Sequence, residues 1–84
     1  MPDADICFMD IKEILAENVR SYRNINNLSQ EQLAEISGLH RTYIGSVERK
    51  ERNVTLSTLI ILAKALNTSV PKLLTRQGLK NEQG

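Results

Sequence analysis

The sequence has one cysteine, one histidine, one phenylalanine, two prolines and no tryptophan. A lone thiol, Cys7, forms no intramolecular disulfide and no thiolate metal cage, and it predicts a reducing compartment. A lone imidazole, His40, removes any His pair and most zinc sites. The longest apolar stretch, Leu59-Ile60-Ile61-Leu62-Ala63, is far below the ~20 residues of a membrane helix. The start, Met1-Pro2-Asp3-Ala4-Asp5, is acidic, unlike the basic start of a signal peptide. No repeat or low-complexity tract is present. With one His, one Cys and no paired carboxylates on an evident pocket, no catalytic constellation emerges. The expectation is therefore a cytoplasmic non-enzyme without cofactor, metal or small-molecule ligand. Neither sign of charge dominates: 11 basic and 10 acidic residues leave a net +1. Taken as a total, that argues against nucleic acid.

What is there points to helices. The 84 residues fit one small domain with a thin core and no cleft between lobes. Residues 3–70 contain no proline. Asp10-Ile-Lys-Glu13 reads as a carboxylate variant of the capping box. After it, Ile11, Ile14, Leu15, Val19, Tyr22 and Ile25 share one helical face. Asn24, Asn26 and Asn27 favour a turn. Ser29-Gln-Glu-Gln32 is a second capping box, with Leu33 and Ile36 on the buried side. Ser37-Gly38 ends that helix, because glycine accepts the left-handed conformation. A third helix runs from His40 to about Arg49, with only Ile44 and Val47 as core residues. Thr55 caps a fourth helix bearing Leu56, Leu59, Ile60, Leu62, Ala63 and Leu66. Ser69 starts a fifth, with Pro71 in its first turn. The domain reading is an N-terminal extension (1–9), a folded unit (10–76) and a flexible tail (77–84). Helix, glycine turn and helix over 29–49 match a helix-turn-helix, whose second helix can enter the major groove.

Ser29-Gln30-Glu31-Gln32-Leu33-Ala34, Ser37-Gly38-Leu39 and Ile44, Val47, Glu48, Arg49 resemble the lambda-repressor-like (Xre, Cro/C1-type) helix-turn-helix family over roughly residues 11–75. Within it, His40-Arg41-Thr42-Tyr43-Ile44 and Glu48-Arg49…Arg52-Asn53-Val54-Thr55 are most similar to controller proteins of restriction–modification systems. The resemblance implies an all-α, five-helix fold and a small dimeric transcription regulator. The resemblance further implies binding to pseudo-palindromic double-stranded operators, with RNA polymerase as a further partner. The resemblance also implies a partly buried ion pair, Arg23 with Glu48. Two positions depart from the family pattern: Lys50 stands where glycine is common, and Val54 where proline is common. A turn that needs positive φ at Lys50 is mildly strained.

The third helix carries the expected base contacts. Arg41 can donate two hydrogen bonds to guanine, a geometry lysine cannot copy. Thr42 suits a thymine methyl or a phosphate. Tyr43 lies either against the sugar-phosphate backbone or partly buried against Leu39 or Val47. Ser46 shares their face. Gln30, at the start of helix two, is expected on phosphate. Arg49, Lys50, Arg52, Asn53 and Thr55 are expected along the DNA backbone. Gly45 either permits close approach to DNA or is tolerated. His40 is placed to cap the third helix, and Cys7 to pack.

A single short helix reads too few base pairs to define a site, so a dimer is expected. Ile61, Val70, Leu73 and Leu74 are the candidate dimer patch. A phage-type repressor and an antitoxin-like regulator remain open, as does a helical protein–protein adaptor that binds no DNA. The near-zero net charge is uneven. Residues 1–17 hold five acids and one base, a net −4, whereas residues 18–84 hold ten bases and five acids, a net +5. On this reading the acidic N-terminus lies away from DNA.

Overall fold

The computed structural model describes the backbone of residues 2–76 and the side chains of residues 11–76. Five helices follow in order: α1 (Pro2–Ile25), α2 (Gln30–Ser37), α3 (Arg41–Glu48), α4 (Leu56–Ala65) and α5 (Val70–Leu73). The described backbone contains no strand. The expected tail at 77–84 and the packing of Cys7 lie outside what is described.

The first helix begins earlier than the capping reading at Asp10 expects. Asp10 lies inside α1, which begins at Pro2. Proline is tolerated in a first turn, and no glycine or proline interrupts the chain from residue 3 to 37. The Asp-x-x-Glu spacing is then an ordinary pair along a continuing helix, not a cap. The other caps are where the sequence places them. Ser29 Oγ accepts from Gln32 N at 3.0 Å, and Gln32 Oε1 accepts from Ser29 N at 2.8 Å. His40 Nδ1 accepts from Thr42 N, Thr55 Oγ1 from Thr58 N, and Ser69 Oγ from Lys72 N.

Three helix ends share one device. Asn27, Lys50 and Asn67 have φ of 58°, 67° and 62°. The next residue reaches back in each case: Leu28 N to Arg23 O (2.9 Å), Glu51 N to Ser46 O (2.9 Å) and Thr68 N to Ala63 O (2.8 Å). These are Schellman-type closures, which satisfy carbonyls a helix end otherwise leaves open. Asparagine tolerates this conformation; lysine does so at a cost.

The core is built from Leu15, Val19, Leu33, Ile44, Val47, Leu59, Leu62, Leu66 and Leu73, with small Ala16, Ala34 and Ala63 between them. It is narrower than the apolar pattern suggests. Ile36, expected on the buried side, is 58% exposed, and Ile11, Ile25, Leu56 and Ile60 are also exposed. Eight-residue α2 has room for one inward stripe, and Leu33 with Ala34 fills it.

Two asparagines on α1 clamp the far end of the chain. Asn18 is buried, and its Nδ2 donates to Leu73 O and Thr75 O, both at 2.8 Å, and to Lys72 O at 3.2 Å. Asn26 Nδ2 donates to Leu66 O at 3.0 Å, at the end of α4. A four-residue helix such as α5 cannot stand alone. Asn18 supplies donors to its terminal carbonyls and holds it on α1.

Asn18→Ala leaves those carbonyls without donors and should destabilise the fold by about 1–3 kcal/mol. Urea unfolding measures this; an unchanged midpoint refutes the clamp. Lys50→Gly should stabilise by about 0.5–1 kcal/mol, because glycine accepts positive φ freely. A lowered melting temperature would contradict that.

Candidate nucleic-acid interface

Helix α3 packs on α1 and α2 through Ile44 and Val47, which are fully or almost fully buried. This orients the rest of the helix. Arg41 and Thr42 emerge exposed at its N-terminus, and Arg49, Lys50, Arg52 and Asn53 are exposed just beyond its C-terminus. The expectation that only two residues of α3 are buried is too low. Gly45, Ser46 and Glu48 are buried as well, each for a different reason.

Glu48 points inward, and its side chain is only 2% exposed. Arg23 grips it with both arms, Nε to Oε2 at 2.7 Å and Nη2 to Oε1 at 3.0 Å. Arg23 Nη1 also donates to Leu28 O at 2.9 Å. Arg20 adds a second cation, with Nε 3.6 Å from Oε1 and Nη2 donating to the Glu48 carbonyl at 3.1 Å. Gln30 Nε2 donates to Oε1 at 3.1 Å. One carboxylate therefore ties α1, α2 and α3 together. The ion pair implied by family resemblance is present, and Arg20 and Gln30 extend it.

Gly45 lies beneath the side chains of Arg49 and Gln30. A Cβ there would sit 3.1 Å from Arg49 Nη1 and 3.5 Å from Gln30 Oε1. Hydrogen lets these polar groups lie flat on the helix. Ser46 is 5% exposed; its Oγ donates to Tyr43 O at 2.7 Å and accepts from Arg52 Nε at 3.0 Å. The hydroxyl expected at a base edge is thus engaged within the protein in the free chain. Arg52 lies over the half-buried Tyr43 ring, 5.1 Å from its centroid. Tyr43 thus packs on the core and carries an arginine at once.

The remaining expected contacts are distributed as follows. Arg41 Nη1 meets Glu31 Oε2 at 2.7 Å, with both side chains largely exposed. Arg49 pairs with Glu51 at 3.1 Å. Lys50 Nζ lies 3.7 Å from Glu13 Oε2, so one acid of the N-terminal segment adjoins this loop. Thr55 Oγ1 is committed to the α4 cap. Gln30 is half-buried beside Glu48, and Asn53 is exposed at the loop.

Of the expected dimer patch, Leu73 is fully buried and belongs to the core. Val70 and Leu74 are half-buried against that core. Ile61 is exposed and lines a groove with Ile36, Lys64 and Ala65. Among the described residues no helix is long and apolar enough to cross a membrane.

Sequence reasoning missed Glu31, Glu13, Arg20 and Asn18. Glu31 and Arg41 meet across the turn, ten residues apart, a separation with no local periodicity. Asn18 acts on carbonyls more than fifty residues away.

The chain as a whole is similar to known proteins. A helix-turn-helix family model, HTH_3, matches residues 19–73. A hypothetical transcription factor of Neisseria meningitidis is 43% identical over 65 residues, 77% of this chain and 61% of its own length. The chain thus spans less than two thirds of that relative. Control protein C.BamHI of Bacillus amyloliquefaciens is 41% identical over 66 residues, covering 77% of this chain and 82% of the relative. The crystal structure of the restriction–modification controller protein C.AhdI from Aeromonas hydrophila superposes with a TM-score of 0.68. It is 43% identical, over 75% of this chain and 92% of that one. On sequence, architecture and the α2–turn–α3 geometry together, the chain belongs to the HTH_3 helix-turn-helix family of transcription regulators.

Proposed function

We propose that the chain is a cytoplasmic, sequence-specific DNA-binding transcription regulator of the controller type, acting as a homodimer on pseudo-palindromic operators. One observation carries this reading. Helix α3 is locked from behind by Glu48 while its exposed end and following loop present Arg41, Arg49, Lys50 and Arg52. Rigid backing with a basic front suits insertion into a major groove.

In this reading Arg41, Thr42 and Tyr43 meet base edges. Gln30, Arg49, Lys50, Arg52, Asn53 and Thr55 meet the sugar-phosphate backbone. Because Glu48 is neutralised internally, its charge does not oppose phosphate at this face. Arg41 exchanges Glu31 for a base, and Arg49 exchanges Glu51 for phosphate; both pairs are exposed and so weakly held. The small net charge limits non-specific binding, leaving discrimination to base contacts and dimer geometry.

The second reader comes from a second copy. Ile61, Val70 and Leu74 form the dimer patch, with exposed Leu56 and Ile60 on the same helix α4 extending the apolar surface. RNA polymerase is the further partner where an operator adjoins a promoter. Switching follows protein concentration.

Selection of genomic fragments with purified protein at stated salt identifies the operator. Arg41→Ala should then weaken operator binding by about 1–3 kcal/mol and relax preference at one base position. Arg52→Ala should weaken binding to all sequences and reduce the slope of log K against log salt by about one. Equal affinity of the wild type for operator and random DNA overturns the reading. A monomeric mass by sedimentation at tens of micromolar protein overturns the homodimer.

A further inference from the structure

We infer that Ser46 is a positioning residue that docks Arg52 on the Tyr43 ring, so that Arg52 meets DNA with its guanidinium edge already aimed. This rests on the DNA-binding reading above and deepens it.

The geometry is closed on the protein side and open on the other. Ser46 Oγ donates its proton to Tyr43 O at 2.7 Å, within the helix. That fixes the hydroxyl rotor and turns a lone pair toward Arg52 Nε, which donates to it at 3.0 Å. The guanidinium carbon stands 5.1 Å above the Tyr43 ring centroid, within cation–π range. Tyr43 is itself held against the core. Arg52 is thus anchored at Nε and on one face of its plane. Neither Nη has a partner among the described residues, so both N–H arms can grip two oxygens of a phosphate.

The location matters as much as the bond. Arg52 follows the α3 C-terminus in an exposed loop without regular secondary structure. A long side chain on such a loop samples many rotamers, and binding must freeze it. Ser46 does that in advance, six residues earlier, from a rigid helix. A serine fits the role because its oxygen lies close to the helix and accepts from Nε while donating to the preceding turn. Alanine keeps the helix but loses the dock. Lysine at 52 keeps the charge but has neither Nε–H nor a planar face to lay on the ring.

The test is a double-mutant cycle on the full chain, read by fluorescence anisotropy with the selected operator at fixed salt. Ser46→Ala should raise Kd about three- to tenfold, the worth of one hydrogen bond, with thermal unfolding little changed. Arg52→Lys should give a loss at least as large. Combining them should cost no more than Arg52→Lys alone, since the second change removes a dock with nothing left to hold. In the free wild type, the Arg52 Nε–H should exchange with solvent more slowly than that of free arginine. This readout stands even where Ser46→Ala fails to fold. A Ser46→Ala Kd within twofold of wild type, losses that multiply, or an Nε–H exchanging like free arginine each overturn the positioning role. Wild type that does not prefer operator over random DNA sinks the DNA reading itself and this role with it. Preference retained with an unaltered Ser46→Ala overturns the role alone.

Discussion

The carboxylate of Glu48 is the point on which the architecture turns. It is the last residue of α3, yet its charge is buried. An isolated carboxylate in that position would be strongly disfavoured, and here three hydrogen-bond donors from Arg23 and Gln30 and the nearby Arg20 cation surround it. Because those side chains come from α1 and α2, neutralising the charge also fixes the angle of α3 against both. The apolar contacts of Ile44 and Val47 hold α3 in place, and Glu48 fixes its orientation.

A consequence runs outward from that pair. With Glu48 turned in, the outer side of α3 carries only small residues, Gly45 and Ser46, between its two ends. Arginines from beyond the C-terminus fold back over them, Arg49 over Gly45 and Arg52 onto Ser46. The helix therefore presents its own Arg41 at one end and borrowed guanidinium groups along its flank. Smallness at 45 and 46 is what brings flexible cations onto a rigid surface.

Much of this was legible in the sequence, for identifiable reasons. Caps at Ser29, His40 and Thr55 and the stop at Gly38 depend on local chemistry over three or four residues, so spacing reveals them. The Arg23–Glu48 pair came only through family resemblance, since its members are 25 residues apart. Asp10 misled because a capping pattern and an ordinary helical pair share one spacing, and nothing downstream separates them. Ile36 and Leu73 misled in opposite directions. Apolar character marks a residue able to be buried, whereas packing decides which one is. Helical spacing placed Ser46 on the face of Thr42 and Tyr43, but its hydroxyl is engaged by Arg52, a loop residue that no helical periodicity predicts.

The central claim is that the face built from α3 and its following loop meets DNA. Backbone and arginine side-chain NMR shifts of the labelled protein, titrated with the selected operator, test it most directly. The account predicts large changes confined to Gln30, residues 41–53 and Thr55, with the Arg52 Nε–H signal retained and shifted. Changes centred instead on the Ile36–Ile61 groove, or absent from α3, would contradict it.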